Sequence, residues 1–519
     1  MAVSSIFNDA IGPVMRGPSS SHSAAGCRIG LLLRDLIAGD IEEVVIDYDP
    51  NGSLVTTHES QGTDMGLYGG LLGWQADDAR MESYRDGIQA AGITIQVNYL
   101  SYGATHPNMY RIRVSNAQIA HTLTAISTGG GMIEVQQIDG AAVSMNGDYH
   151  ELLIYGRHLP AIQSNLPATL PYDFLEHHSG DRQFIELKSA VPFSAAAITA
   201  VEALPDVDFV RYLRPVLPIL SRKDLEVPFI YCRDMVAYGR RQGLSLWELA
   251  LRYESARGGI SENEVCQKMS RLVQLMDNSI QQGLQGTYYE DRILPCQSVG
   301  FKERMSSQSL INGEPLNTII LYVTAMMEIK SSMGVIVAAP TAGSCGALPG
   351  AILGAAAVMG KSEEDVVHAM LAAGMIGVFI SEHATFSAEV GGCQAECGAG
   401  SAMAAAGLVV LAGGTLEQSV AAASLALQNS LGMICDPIGK RVEAPCLGRN
   451  VMAASNALSC ANMALANYDP LIALDEVIST MLDVGNSISH ELRCTGLGGL
   501  AITPSAIAIE KRLHGVGNC

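Results

Sequence analysis

Three cysteines stand in turn-rich stretches of this sequence. Cys393 lies in Gly391-Gly392-Cys393-Gln394-Ala395-Glu396-Cys397, Cys435 opens Cys435-Asp436-Pro437-Ile438-Gly439, and Cys446 follows Ala444-Pro445. Glycine and proline let a backbone bend around an object, and thiolates are the ligands of iron–sulfur clusters. The intervals, from 393 to 435 to 446, match neither the ferredoxin spacing nor the paired CxxC of zinc sites. A fourth thiol, Cys519, is the last residue. Three loop cysteines plus a tail cysteine suit a cluster in which one iron exchanges its ligand.

Other stretches carry polar chemistry. Gly17-Pro18-Ser19-Ser20-Ser21-His22 feeds three hydroxyls into a helix start, where side chains and free N–H groups bind a carboxylate; an ordinary serine cap is the plain alternative. Thr105-His106-Pro107-Asn108 puts a histidine in a turn, a place where histidine is more often a structural hydrogen-bonding group than a catalyst. Pro340-Thr341-Ala342-Gly343-Ser344-Cys345-Gly346 is a hydroxyl-rich loop in apolar surroundings, and a polar ligand is one way to satisfy it. Cys345, Cys397 and Cys460 read equally well as small core residues. Arg493, in Arg493-Cys494-Thr495-Gly496-Leu497-Gly498-Gly499, offers a bidentate grip on a carboxylate.

These residues need a scaffold, and the composition supplies one. The chain has 519 residues, enough for two or three domains. Hydrophobic residues make up 48% and charged residues 16%, the latter well below the roughly 25% of average chains, so part of the surface is expected to be buried in a subunit interface. A net charge of −20 argues against nucleic acid and anionic membranes as partners, but not against a small anionic substrate, because a site can be locally positive. Residues 1–9 show no basic segment followed by an apolar run, so a cytoplasmic, reducing setting is expected, in which clustered thiols mean metal or catalysis. Gly334 to Gly360 carries no charge but holds Pro340, Pro349 and several glycines, and is expected to be a buried loop, not a membrane span.

The patterning gives an α/β N-terminal part and a large all-α C-terminal domain carrying the cluster. Over residues 1–150, Val44–Tyr48 and Ile93–Val97 alternate as strands, with helices expected at Ala24–Ile37 and Asp64–Trp74. Residues 151–222 form a smaller unit with strands at Glu151–Tyr155, Phe184–Leu187 and Val207–Val210 around a helix at Ala195–Leu204, an order used by small regulatory ligand-binding domains and equally by structural spacers. Over 223–519 the period becomes helical, with helices expected at Met235–Ser255 and Ser261–Gln285, then Ala-, Gly- and Met-rich helices between Gly/Pro loops.

Taken together the motifs resemble one family, the iron–sulfur-dependent L-serine dehydratases, with the two portions that are often separate subunits fused in one chain. Gly17-Pro18-Ser19-Ser20-Ser21-His22, Gly62-Thr63-Asp64 and His106-Pro107-Asn108 resemble its β portion. Pro340–Ser344, Gly391–Glu396, Cys435-Asp436-Pro437, Pro445-Cys446 and Gly498–Ala501 resemble its α portion. The resemblance implies a [4Fe–4S] cluster on Cys393, Cys435 and Cys446, with Cys519 as the displaceable tail ligand. It implies that Ser19, Ser20, Ser21, Thr63, Asp64, Asn108, Thr341, Gly343, Ser344 and Arg493 bind substrate. The implied reaction eliminates the 3-hydroxyl of L-serine to give pyruvate and ammonia, with an open iron as Lewis acid and a base that takes the α-proton.

The sequence departs from the family pattern at some positions. Gln61 stands where the family carries a histidine, which leaves the base to His22, His106 or Cys519. His383-Ala384-Thr385 replaces Asn-Ala-Ser, and His383 brings a titratable group. Cys494 and Leu497 replace a Glu and a polar residue. Another β-substituted substrate, such as cysteine, is therefore an alternative, and so is a non-catalytic metal or cluster sensor. A pyridoxal-phosphate enzyme is set aside, because Ser127–Met132 imitates its phosphate loop but no Schiff-base lysine motif precedes it.

Overall fold

A computed structural model describes residues 3–516, with side chains to residue 513. The chain packs as two compact units, residues 21–225 and residues 226–519 together with 1–20. The division falls inside the serine motif, between Ser20 and Ser21. The expected segments 1–150, 151–222 and 223–519 are cut differently, because the first 20 residues pack with the helices and the sheets of 21–225 share one core.

The first strand, β1 (Val14–Arg16), belongs to the helical unit. Strands β2 (Glu43–Tyr48), β3 (Thr94–Tyr99), β4 (Met109–Ser115), β5 (Ala120–Gly129), β6 (Met132–Ile138) and β7 (Ala141–Met145) form a sheet of order β3-β2-β4-β5-β6-β7. Only β2 and β3 run parallel within it. Alternation decides its faces: Val44, Ile46 and Tyr48 of β2 are buried and their neighbours half-buried. Strands β8 (His150–Gly156), β9 (Phe174–Ser179), β10 (Gln183–Ser189) and β11 (Val207–Leu213) form a second sheet of order β11-β8-β10-β9. Leu153, Tyr155 and Phe184 join its inner face to the core of the first sheet, and Leu152, Ile154, Ile185 and Leu187 line a separate core on its other face.

In this unit the helix Ala25–Ile37 buries Ile29, Leu32, Leu33 and Leu36 at helical spacing. It packs against the helix Thr63–Leu71 at backbone contact. A Cβ at Gly66 would meet the Ser23 carbonyl oxygen at 1.8 Å, and one at Gly70 would meet that of Cys27 at 2.2 Å. This close approach ties the segment around His22 to the one around Thr63.

The unit built on residues 226–519 is mostly helical. The expected helix Met235–Ser255 is two, Cys232–Gln242 and Leu246–Gly258, because Gly243 takes a left-handed conformation that caps the first. The helix expected at Ser261–Gln285 runs Glu262–Gly283 behind a Ser261 capping box. The domain expected to be all-α holds one strand, β12 (Val335–Val337), paired antiparallel with β1. The stretch expected as a buried loop is half helix: Ala347–Met359 follows the Thr341–Gly346 loop, with Pro349 in its first turn where a missing N–H costs nothing. Ala342–Met359, Glu363–His383 and Gln394–Leu411 are long and apolar enough to cross a membrane, and 83%, 78% and 89% of these stretches are buried inside the protein. Ile6–Ala10 packs here too, where Glu254, fully buried, accepts from Ser5 Oγ and from the Ile6 N–H at 2.8 Å.

Candidate active site

The helical unit gathers its thiols at the ends of short segments. Cys393 precedes the turn Gln394–Gly398, and Cys446 opens the helix Cys446–Leu465 behind Pro445. Cys435 is clipped to the C-terminal glycine loop: its N–H donates to Leu492 O at 2.8 Å, and the Cys494 N–H donates to Cys435 O at 2.8 Å. Cys393, Cys397, Cys435 and Cys494 belong to one buried cluster, and Cys446 is close enough to feel the charge of Cys393. Cys519 lies outside the described residues.

The thiols differ in their environment. A hydrogen bond from Cys397 and the positive charge of Arg449 hold Cys393 below the ordinary thiol range. Cys397, in turn, is pushed well up by that bond and by burial. Cys435 is raised by its hydrogen bond with Cys494 and by burial, and Cys446 is raised by burial. Arg449 is paired with Asp436, whose other oxygen accepts from the Leu500 N–H at 2.7 Å. Among the described residues no three thiol sulfurs come within 4.8 Å of one another, the convergence a single tetrahedral ion needs. Thiolates are the ligands of iron–sulfur clusters, and Arg449 lies beside Cys393 to offset negative charge.

The hydroxyl loop sits against these segments. Thr341 and Ser344 cap each other across the turn, and the Ala342 N–H donates to Ser20 Oγ at 3.1 Å. Thr341 Oγ1 donates to Glu396 Oε1 at 2.6 Å. Gly343 leaves room for that carboxylate, since a Cβ there would meet Glu396 Oε1 at 2.7 Å. Burial, and then the charge of Cys393, raises Glu396 to about 8. Asn450, wholly buried, braces the loop. Its Oδ1 accepts from the N–H groups of Gly346 and Ala347, and its Nδ2 donates to the carbonyls of Gly343 and Cys446. Lys330 is also fully buried, its Nζ has no hydrogen-bond partner, and its charge reaches Cys345, Cys446 and Glu396.

In the sheet unit, three expected residues share one network. His22 Nε2 meets Thr57 Oγ1 at 3.0 Å, Thr57 donates to Ser53 O at 2.7 Å, Ser53 Oγ bonds Asn108 Oδ1, and the Asn108 N–H donates to His106 Nδ1 at 3.1 Å. Asp64 Oδ1 pairs with His58 Nδ1 at 2.9 Å, and His58 Nε2 meets the Tyr99 hydroxyl at 2.8 Å. Three buried polar atoms here lack a partner: Thr63 Oγ1, Asn108 Nδ2 and the Tyr48 hydroxyl.

Elsewhere His383 bonds Ile230 O at 3.0 Å and stacks on Tyr231, with ring centres 4.3 Å apart. Arg493 donates to Val390 O at 3.4 Å while its Nε is unpartnered. Ser19 and Ser21 are buried. Sequence reasoning missed Lys330, Asn450, Glu396 and His58 as site residues. A signal existed for His58, a histidine three positions before Gln61, and for Glu396, which lies inside the Gly391–Glu396 motif; Asn450 and Lys330 left none.

Residues 241–501 match the family model described as serine dehydratase alpha chain. The chain is 37% identical over 255 residues to the probable L-serine dehydratase alpha chain of Bacillus subtilis, which covers 49% of this chain and 85% of that one. It is 37% identical to the L-serine dehydratase alpha chain of Peptoniphilus asaccharolyticus, over 52% of this chain and 92% of the relative. It is 27% identical to L-serine dehydratase 2 of Escherichia coli over 511 residues, 94% of this chain and 96% of the relative.

Proposed function

The chain belongs to the serine dehydratase family, and from that premise we propose that it is a lyase converting L-serine to pyruvate and ammonia with a [4Fe–4S] cluster. The observation that carries the cofactor is the buried group of thiols around Cys393, Cys435 and Cys446, with Arg449 against Cys393. Cys393, Cys435 and Cys446 are the ligands in this reading, and Cys519 is the displaceable fourth. When bound, the cluster supplies a Lewis-acidic iron that makes the 3-hydroxyl a better leaving group.

The chain's own residues do the rest. Thr341, Ser344 and Gly343 form a rigid hydroxyl loop whose shape Asn450 and Ser20 hold. The Lys330 ammonium, buried and unpaired, is the counter-charge for the substrate carboxylate. Thr63 Oγ1 and Asn108 Nδ2 are desolvated before substrate arrives, so bonds to a ligand cost no water there. We assign the α-proton to His58. Asp64 takes its Nδ1–H, which orients the ring, and Nε2, which accepts from the Tyr99 hydroxyl without substrate, takes the proton when that bond is given up, a role Gln61 lacks. His22 and His106, tied through Thr57, Ser53 and Asn108, position Asn108. A cytoplasmic homodimer completes the reading, supported by the described cysteines all being free thiols and by the low charged fraction.

The test is purification without oxygen, with iron content, visible absorption and pyruvate formation from L-serine. About four irons per chain and pyruvate release are expected. An iron-loaded protein inert on serine but active on cysteine would move the substrate and keep the cofactor. A colourless protein without iron would overturn the proposal.

A further inference from the structure

The second sheet carries a group of charged side chains on its inner face. Strand register places them there: Glu186 stands opposite both Leu153 and Glu176, Lys188 opposite Glu151, and Phe184 opposite both Tyr155 and His178. Side chains two apart share a face, so Glu151, Glu176, His178, Glu186 and Lys188 lie on the side where Leu153, Tyr155 and Phe184 enter the common core. His178 Nε2 is 2.7 Å from Glu186 Oε2 and 3.8 Å from Glu176 Oε2. One donor atom from each of Glu176, His178 and Glu186 falls within 4.8 Å of the other two.

This is more than an acidic patch. Glu151 and Glu186 are 2% and 1% exposed, and each has an Oε1 without a hydrogen-bond partner. Lys188 is ion-paired with Glu186, its ammonium 3.3 Å from Oε1, and also donates to Ser144 O. Two buried carboxylates, Glu151 and Glu186, and the exposed Glu176 thus share one ammonium and one imidazole. His178 also hydrogen-bonds the Ala142 backbone. With Nε2 turned to the carboxylates, that bond belongs to the other ring nitrogen, the arrangement by which proteins orient a ligating imidazole.

We propose that Glu176, His178 and Glu186 bind one divalent transition-metal ion. Two carboxylates with one imidazole suit Mn²⁺, Fe²⁺ or Zn²⁺ better than Mg²⁺, which favours oxygen and retains its water. Binding displaces the proton held between His178 and Glu186 and fastens the edge strand β9 to β10. The site belongs to the sheet unit, and the thiols belong to the helical unit.

Mn²⁺ is the probe, because its preference for oxygen and nitrogen keeps it off the cysteines. Free Mn²⁺ is followed by electron paramagnetic resonance during titration of the full-length enzyme. One tightly bound Mn²⁺ per chain is expected, together with a rise in the thermal midpoint. Glu176→Gln changes an exposed side chain and keeps the fold; it is expected to weaken binding about tenfold, and His178→Ala by about a hundredfold. Wild-type protein without a stoichiometric Mn²⁺, or a Glu176→Gln variant that binds Mn²⁺ as tightly as wild type, would overturn the proposal whatever the activity on serine.

Discussion

Asn450 and Asn108 are both wholly buried, one in the helical unit and one in the sheet unit. Asn450 uses its amide in full, accepting from Gly346 and Ala347 and donating to Gly343 and Cys446. Asn108 accepts from Ser53 but leaves its Nδ2 without a partner, close in sequence to His106 and Pro107. The same chemical group is a brace in one place and an unfilled valence in the other. Burying an amide donor without a bond costs about 1–3 kcal/mol, so a fold retains such an atom where a ligand will meet it. Lys330 and Thr63 fall on the side of Asn108, and Glu254 falls on the side of Asn450.

The contrast breaks most readily at the brace. Asn450→Ala orphans the N–H groups of Gly346 and Ala347, takes a donor from the carbonyls of Gly343 and Cys446, and is expected to cost about 4 kcal/mol in urea unfolding. Iron content should fall with it, because the helix start at Cys446 loses its tie to the Thr341 loop. A loss under about 1 kcal/mol would mean that the loop is held by other bonds.

Glu254 sharpens the same side through pH. Burial raises its carboxyl from 4.5 to about 7. Between those values the folded state holds a proton that the unfolded state has released, so this stabilisation is complete below pH 4.5 and is lost as pH rises through 7. Glu254→Gln removes the dependence. Relative to wild type it should gain about 3 kcal/mol of stability between pH 4.5 and 7, read from denaturation midpoints across that range. Parallel pH profiles for the two proteins would contradict the assignment.

Lys330→Met tests the other side with the opposite sign. Removing a buried, unpaired ammonium is expected to stabilise the protein by about 2 kcal/mol while raising the KM for serine at least about tenfold. A variant that is both less stable and unchanged in KM would make Lys330 a structural residue.

The braces and the unfilled valences were not equally legible in the sequence. Helical spacing revealed Ala25–Ile37 and Glu262–Gly283 within a residue or two, since long amphipathic periods survive tertiary packing. Glycine and proline beside Cys393, Cys435 and Cys446 marked the thiol loops, because backbone turns leave a local signature. What stayed hidden depends on distant pairing. Asn450 meets Gly346 across 104 positions, and Cys435 bonds Cys494, far along the chain, beside the bridge between 435 and 493. Lys330 ends an apolar helix, where a lysine reads as an ordinary C-terminal cation. Strand β9 was missed because Phe174-Leu175-Glu176-His177-His178-Ser179 lacks clean alternation.

The smallest expected effect on stability is at Asn108, and there the contrast with Asn450 is sharpest. Asn108→Ala removes one side-chain bond, that from Ser53, along with a donor that had none. The expected cost is about 1 kcal/mol in urea unfolding, well below that of the Asn450 variant. The KM for serine should nevertheless rise roughly tenfold with iron content unchanged, because an interaction made by a buried, pre-desolvated amide is worth about 1.4 kcal/mol or more to a ligand. Asn108→Asp discriminates further. It keeps the size and an acceptor for Ser53 but turns the unpartnered donor into a negative charge, so it should repel a substrate carboxylate and bind more weakly than the alanine variant. If both variants bind serine as wild type does while losing stability equally, Asn108 is a brace after all, and the unpartnered Nδ2 ceases to mark a binding site.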